Sequence, residues 1–376
     1  MQKRKLNFKK RDNEKDNETN KNSKNNENTK QKQKQKLKIK ISKPIRIETS
    51  NIKLRLGYAC LNYTISETLK IATVNRSCIQ ATFENKGAEY AVGLAQQNLK
   101  NVLKVLQWNE EHNLRFYRLS SDMLPHCSNP KFIKPPLKYA YDLEVFRPIC
   151  KQIGDYAREK GHRITYHPGQ FCQVGTPTRE VFEKTIVELS MHADMLDMME
   201  LDKDSVMIIH GGGVYKDKPA TIKRWGEQFA ELPENVRNRI VIENCEKSYS
   251  TLDMLKLSKL INRPIVFDTH HHTCYDKYVK KLPDPSEFLP EVLETWYKLG
   301  IKPKFHISEQ APGLRVGAHS DYVENIPDYL LKLLSEGHEI DLMIEAKRKE
   351  LAVQHLHNKY SVLRDGEFFL CKKYVK

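Results

Sequence analysis

Eight short β-rich runs, each followed by a helical pattern, fill the chain from residue 55 onward and leave few folds open to it. The runs are Arg55 to Asn62, Phe116 to Ser121, Arg163 to His167, Ser205 to His210, Ile240 to Asn244, Pro264 to Asp268, Lys304 to Ser308 and Ile340 to Lys347. Helical spacing of apolar residues predicts helices over 88–112, 143–160, 179–201, 220–232, 251–261, 285–299 and 322–335, and a last one ending near 357. Strict β-α alternation with continuous apolar strands implies a parallel sheet covered by helices on its outer face. Eight such units close into an α/β fold of the (β/α)₈ TIM-barrel type. A doubly wound open sheet is the competing arrangement, but no strand is followed by a Gly-x-Gly-x-x-Gly turn. The expected organisation is a tail over 1–48, a barrel over 52–358 and a short C-terminal extension over 359–376.

Charge separates the tail from the body. Residues 1–48 hold 17 Lys+Arg against 6 Asp+Glu, so they carry +11 of the chain's formal +15. They contain hardly an apolar residue before Leu37, and such a segment cannot bury enough surface to offset its ordering entropy, so it reads as disordered. Lys3-Arg4-Lys5 and Lys9-Lys10-Arg11 suit a nuclear-localisation signal or a loose DNA-binding arm; a solubilising low-complexity extension is the plainer reading. The start carries no apolar stretch of the secretory type, and no run approaches a membrane span. Eight cysteines without a Cys-x-x-Cys pair point to reduced thiols in an intracellular, membrane-free protein.

In a barrel of this kind chemistry lies at the carboxyl ends of the strands. Those ends and the loops after them carry Asn62, His126, His167, His210, Glu243, Asp268 with His271, His306, His319 with Asp321, and Glu345. Eight of the fourteen histidines fall in these places. A single histidine at a strand end is more often a hydrogen-bonded structural residue than a ligand. A carboxylate closing an apolar strand is harder to explain, because burying an unpaired charge is expensive. Glu243, Asp268 and Glu345 all do so, and three carboxylates at one mouth would repel one another unless cations lay between them. Interleaved imidazoles make a multinuclear metal centre the simplest answer. Mixed His/Asp/Glu ligands without thiolate suit Mn²⁺ or Zn²⁺. Asp268 and His271, three residues apart, could serve two neighbouring ions. Gly211-Gly212-Gly213 lacks an accompanying Gly-x-Ser-x-Gly and reads as room for a ligand or backbone to pass.

His-Pro-Gly-Gln at 167–170, Arg-Leu-Gly-Tyr at 55–58, Arg-Leu-Ser-Ser with Pro-His at 118–126 and Lys-Phe-His-Ile-Ser at 304–308 together resemble the UV damage endonuclease family. The resemblance runs over about residues 52 to 350. That family is similar to endonuclease IV and the xylose-isomerase-like barrels. The resemblance implies a DNA repair enzyme that nicks the strand immediately 5′ to UV photoproducts (cyclobutane dimers and 6-4 products), leaving a 3′-hydroxyl and a 5′-phosphate. It implies double-stranded DNA carrying UV lesions as partner, and a monomer; a DNA substrate suggests a nucleus or other DNA-containing compartment, and the basic tail favours the nucleus. Its metal ligands fall on His167, His210, Glu243, Asp268, His271, His306, His319 and Glu345, enough for three divalent ions, Mn²⁺ ahead of Zn²⁺. Glu243 matches a bridging carboxylate. His126 matches a catalytic histidine near the scissile phosphate, and Lys304 a catalytic lysine beside the cluster that can be carboxylated. Asp321 is added to the ligands from its position alone. Tyr58 and Asn62 match contacts to the damaged strand, and Gln170 with Phe171 match a pair that wedges into the duplex. The family pattern there is Gln-Tyr; phenylalanine keeps the ring that replaces a lost base stack and drops the hydroxyl. An abasic-site endonuclease of endonuclease IV type is the near alternative, and a metal-dependent sugar isomerase or epimerase the more distant one.

Overall fold

A computed structural model describes residues 48–68 and 74–375. The reading of residues 1–48 as a disordered basic tail therefore lies, up to residue 47, outside the described residues. In chain order the strands are β1 (Thr49–Lys53), β2 (Leu56–Ala59), β3 (Phe116–Leu119), β4 (Arg163–Tyr166), β5 (Met207–His210), β6 (Ile240–Glu243), β7 (Ile265–Val266), β8 (Lys304–Ile307), β9 (Asp341–Ile344), β10 (Ser361–Arg364) and β11 (Glu367–Cys371). The helices are α1 (Tyr63–Thr68), α2 (Gln80–Glu111), α3 (Arg147–Lys160), α4 (Arg179–Met198), α5 (Lys218–Glu231), α6 (Glu234–Arg239), α7 (Thr251–Ile261), α8 (Thr269–Tyr278), α9 (Pro285–Tyr297), α10 (Asp328–Ser335) and α11 (Glu350–Tyr360).

Strands β2 to β9 form one eight-stranded parallel sheet in sequence order, with β9 paired back onto β2. Between β7 and β8 the ring closes through a single parallel bridge, Asp268 to His306, in which the His306 amide donates to the Phe267 carbonyl at 3.0 Å. This is the (β/α)₈ barrel that the alternation implied. Its strands are four residues or fewer and almost wholly buried, as in Ile240–Glu243, because side chains fill the interior while helices cover the outside. Gly57 permits the tight β2–β3 approach: a Cβ there would stand 2.5 Å from the Phe116 carbonyl oxygen. At the amino ends of the strands the Arg163 guanidinium reaches the buried Asp341 carboxylate at 2.9 Å, tying β4 to β9 across the barrel floor.

The helices depart from their expected bounds for local reasons. The first long one begins at Gln80, eight residues early, and is interrupted by a left-handed Gly87 (φ 76°). Helix α10 starts only at Asp328, after Pro327, whose ring disfavours helical backbone in the residue before it. Helices α1, α6 and α8 were not expected. Residues 361–371 make a hairpin turned by Asp365-Gly366, both with positive φ, and β11 pairs with β1 in a separate antiparallel sheet. A two-residue Asp-Gly turn of this kind matches the natural twist of a hairpin.

Candidate functional site

Glu243 closes β6 and is completely buried, and imidazoles converge on it from the loop after β4, from β5, from α8 and from β8. Its Oε2 lies 3.3 Å from His167 Nε2 and 3.8 Å from His210 Nε2. Its Oε1 lies 3.0 Å from His306 Nδ1 and 3.4 Å from His271 Nδ1. The sheet itself creates part of this grouping: His210 and Glu243 are register partners at the ends of β5 and β6. Asp268, the residue of the closing bridge, caps α8 by accepting from the His271 amide at 2.7 Å through Oδ1. The same helical turn brings the His271 ring to the cluster. His306 Nδ1 is 3.4 Å from Glu345 Oε1 and 3.9 Å from Asp268 Oδ2.

Three overlapping groups with metal-ligand spacing result: His167, His210 and Glu243; Glu243, Asp268 and His271; Asp268, His306 and Glu345. Within each, one donor atom per residue lies within 4.8 Å of the others. Adjacent groups share a carboxylate, first Glu243 and then Asp268. His319 is not in these groups but stands beside them, its ring 6.5 Å from that of His271 and 5.8 Å from that of His270.

The electrostatics fit cations at this place. Buried Glu243 Oε2, Asp268 Oδ2 and His210 Nδ1 have no hydrogen-bond partner, and such orphans are costly unless something else satisfies them. Burial alone would raise the Glu243 pKa, but the His306 and His210 imidazoles hold it well below the usual carboxylate range. Asp268 goes the other way, to about 7, through burial and the repulsion of Glu243 and Glu345, against the pull of His271. Burial lowers His210 and His306 to about 4, leaving neutral imidazoles able to act as ligands. His271 differs: against the effect of burial, Asp268 and Glu243 hold its imidazole well above the ordinary value. Mixed imidazole and carboxylate donors of this kind suit a divalent transition ion.

Lys304 lies beneath the cluster, fully buried, with Nζ 2.6 Å from His306 Nε2. Burial and the nearby Arg118 push its amine well below the ordinary lysine pKa. An amine so lowered can accept from the His306 Nε2–H, which leaves Nδ1, the nitrogen that faces Glu243, Asp268 and Glu345, free to act as a ligand. Arg118, at the end of β3, escaped the reading of the sequence. Its guanidinium pairs directly with Glu345, while its Nε is buried without a partner. It lines a cleft of about 430 Å³ together with His167, Gln170, His210, Glu246 and Glu345. The signal that could have found it was the Arg-Leu-Ser-Ser strand end, which was used only as a motif.

Other candidate residues are placed elsewhere. Asp321 is half exposed and faces Arg348 at 3.5 Å, away from the ligand groups. His126 has a left-handed backbone and turns its ring into an aromatic nest with Phe83 and Phe132; its Nε2 donates to the Cys78 carbonyl at 2.7 Å. Tyr58 is fully buried, its hydroxyl donating to Asn109 at 2.6 Å and accepting from Asn62 at 2.8 Å. Asn62 also caps α1 by accepting from the Ile65 amide at 2.9 Å. In this arrangement both residues hold the β2 loop against α2 and present no surface to a DNA strand.

Gln170 and Phe171 do stand at the rim, Phe171 84 % exposed. Gln173 pins their loop to the next one: its side-chain amide donates to the Gln170 carbonyl at 2.8 Å and accepts from the Gly213 amide at 3.0 Å. Gly212, at φ 79°, admits it, since a Cβ there would stand 2.6 Å from Gln173 Oε1. The run Gly211-Gly212-Gly213 thus gives room to neighbouring side chains, Tyr249 as well as Gln173. Around the same mouth, Arg76, Lys134, Lys216, Lys247, Arg315 and Lys347 are exposed, and among the described residues none has an ion-pair partner. They lie in the loops after β2, β3, β5, β6, β8 and β9. Unpaired cations around a carboxylate-rich floor suit a polyanion laid across the mouth.

All eight cysteines are free thiols, and no helix among the described residues is long and apolar enough to cross a membrane. Comparison with known proteins gives a consistent picture. A relative from Acanthamoeba polyphaga mimivirus is 38% identical over 311 residues, covering 82% of this chain and 91% of its own. The UV-damage endonuclease of Schizosaccharomyces pombe is 35% identical over 318 residues, covering 82% of this chain but 51% of that longer protein. The crystal structure of SacUVDE superposes with a TM-score of 0.68 at 29% identity, covering 80% of this chain and 96% of its own. Residues 54–368 match the model of the UV-endonuclease UvdE family, and the chain belongs to that family.

Proposed function

We propose that this protein is a metal-dependent DNA repair endonuclease that hydrolyses the phosphodiester immediately 5′ to a UV photoproduct. Family membership supports a UV-damage endonuclease, and the names of the relatives point to the same substrate. The observation that carries the chemistry is the chain of three ligand groups joined through Glu243 and Asp268. Those groups would hold three divalent ions, Mn²⁺ by preference and Zn²⁺ as the alternative, with His319 completing the set. Such ions acidify water and neutralise charge on both the attacking and leaving oxygens of an in-line displacement.

The chain's own residues supply the rest. Arg118 fixes Glu345 and lines a cleft where a phosphate oxygen can sit. Lys304 sets the tautomer and orientation of His306 from below. In the reaction a water oxygen bonds to phosphorus, the P–O3′ bond breaks, and O3′ takes up a proton, leaving a 3′-hydroxyl and a 5′-phosphate. At the rim Phe171 supplies a ring to fill the place of an unstacked base, with Gln170 beside it for polar contact. The unpaired rim cations hold the duplex backbone.

The test uses three end-labelled duplexes with Mn²⁺: one carrying a single cyclobutane dimer, a matched abasic duplex and an undamaged one. The expected result is one cut 5′ to the dimer with a ligatable 3′-hydroxyl. Cutting only the abasic duplex would move the reading to an abasic-site endonuclease, and cutting none would remove it.

A further inference from the structure

We infer that the loop after β8, Gln310 to His319, is a second DNA-contacting finger, acting opposite Phe171 through Leu314, Arg315 and Val316. This rests on the endonuclease reading above and adds a specificity element to it. In the ring order β2 to β9, strands β4 and β8 are separated by three strands on either side. The loops that follow them, one carrying Phe171 and the other Leu314, therefore rise from opposite sides of the mouth with the ligand groups between.

The loop is built to hold its tip away from the body. Gln310 laces it from inside, its amide nitrogen lying 2.9 Å from the Arg315 carbonyl and 3.1 Å from that of Ala311 while its Oε1 accepts from the Gly317 amide at 2.9 Å. Ala311 and Ala318 close the neck with a 2.7 Å backbone bond. Gly313 and Gly317 supply the left-handed turns (φ 72° and 84°), and Gly317 sets the base against Glu246 of the β6 loop. At the tip Leu314 is 56 % exposed and Val316 36 %, with Arg315 between them and without an ion-pair partner among the described residues. A loop so well tied has no slack with which to fold those side chains inward.

An apolar pair flanking a cation at the edge of a nuclease mouth has the chemistry of a groove wedge. The aliphatic side chains pack against or between base steps and lower the cost of kinking, while the guanidinium meets phosphate. Two fingers on opposite sides of the cluster can bend a duplex across it, which a single wedge cannot. The occupant is the duplex flanking the lesion, a partner whose negative charge complements Arg315 and the other unpaired rim cations.

The experiment compares wild type with the double variant Leu314→Ala/Val316→Ser on a fully paired dimer duplex and on the same dimer in a pre-melted bubble. Both positions are solvent-exposed, so the fold and bound metal content should match wild type. The expected result is a fall in kcat/KM of about tenfold on the paired duplex, the order of one lost base-stacking contact. On the bubble, where the strands are already open, the loss should be under about twofold by the same reasoning. Unchanged activity on the paired duplex would overturn the finger. An equal loss on both substrates would overturn it too, leaving the loop as a support for His319. If wild type cuts neither substrate, the endonuclease reading itself has failed.

Discussion

Glu243 carries two ligand groups on one side chain, so its charge matters more than its shape. Glu243→Gln keeps the volume and removes the anion that His306 and His210 now stabilise. Incision should fall by at least about a hundredfold, in line with the loss of a metal-positioning group, and bound metal should drop in parallel. Activity near wild type with full metal content would show that the bridge lies elsewhere. A residue remote from the ligand groups gives an independent check on burial. His357 is enclosed between α11 and β11, stacked on Phe368 at 3.6 Å, and burial lowers its pKa to about 3. The unfolded chain binds a proton there near pH 6.5. Stability is therefore full above that pH and declines as the pH falls toward 3, by up to about 1.4 kcal/mol per unit from this residue. Denaturant titrations of His357→Gln should show a flatter decline below pH 6.5 than wild type; parallel curves would place the acid sensitivity in other groups. At this scale the sequence was informative wherever a side chain ended an apolar strand. Glu243, Asp268, His210 and His306 were legible because a charge or imidazole there has nowhere to go but the mouth. Tyr58 and Asn62 were not: the sequence cannot say that Asn109, far along the chain on α2, satisfies the Tyr58 hydroxyl and holds both residues inside.

Elements were legible through their period and illegible at their joints. Four-residue strands with continuous apolar runs stood out, as did helices such as α7, whose capping residues Ser250 and Asp253 mark its start. Strand β7 has only two residues, and its ladder to β8 is one bridge, so the closure of the ring lies below what any pattern of hydrophobicity records. Helix α8 was missed because three consecutive histidines hide its apolar face, although they point three ways. His271 joins the cluster, His270 lies against Cys274 and His319, and His272 packs beside Phe267 and Phe288. The coupling of neighbouring loops was equally invisible, and it makes a prediction. Gln173 ties the loop after β4 to the one after β5 through two hydrogen bonds. Gln173→Ala should loosen Phe171 without touching the ligands. Each net hydrogen bond contributes about 1 kcal/mol, so the ratio of incision on dimer over undamaged duplex should fall roughly fivefold or more. A ratio like that of wild type would mean that the loop holds its shape without the pin.

Across the whole molecule, the ligand groups tie distant parts of the sequence into one assembly. His167, His210, Glu243, Asp268, His306 and Glu345 come from six consecutive positions of the ring, including its weakest joint between β7 and β8. Cations bound there would do structural as well as chemical work, since they bind the closed barrel and find no such site in the unfolded chain. Such linkage adds RT ln(1 + [L]/Kd), about 2.7 kcal/mol at a hundredfold excess over Kd. For a chain of this size that corresponds to a rise in Tm of a few degrees. Thermal unfolding should therefore shift upward as Mn²⁺ is added to chelator-treated protein, and the shift should keep growing with concentration after the first equivalent if more than one ion binds. Glu243→Gln should lose most of the shift, because it weakens two groups at once, whereas Asp321→Asn should keep it, because Asp321 faces Arg348. A shift that is equally large in Glu243→Gln would assign the stabilising ion to another part of the protein. No shift in wild type, together with no bound metal, would separate the barrel's closure from the ions altogether.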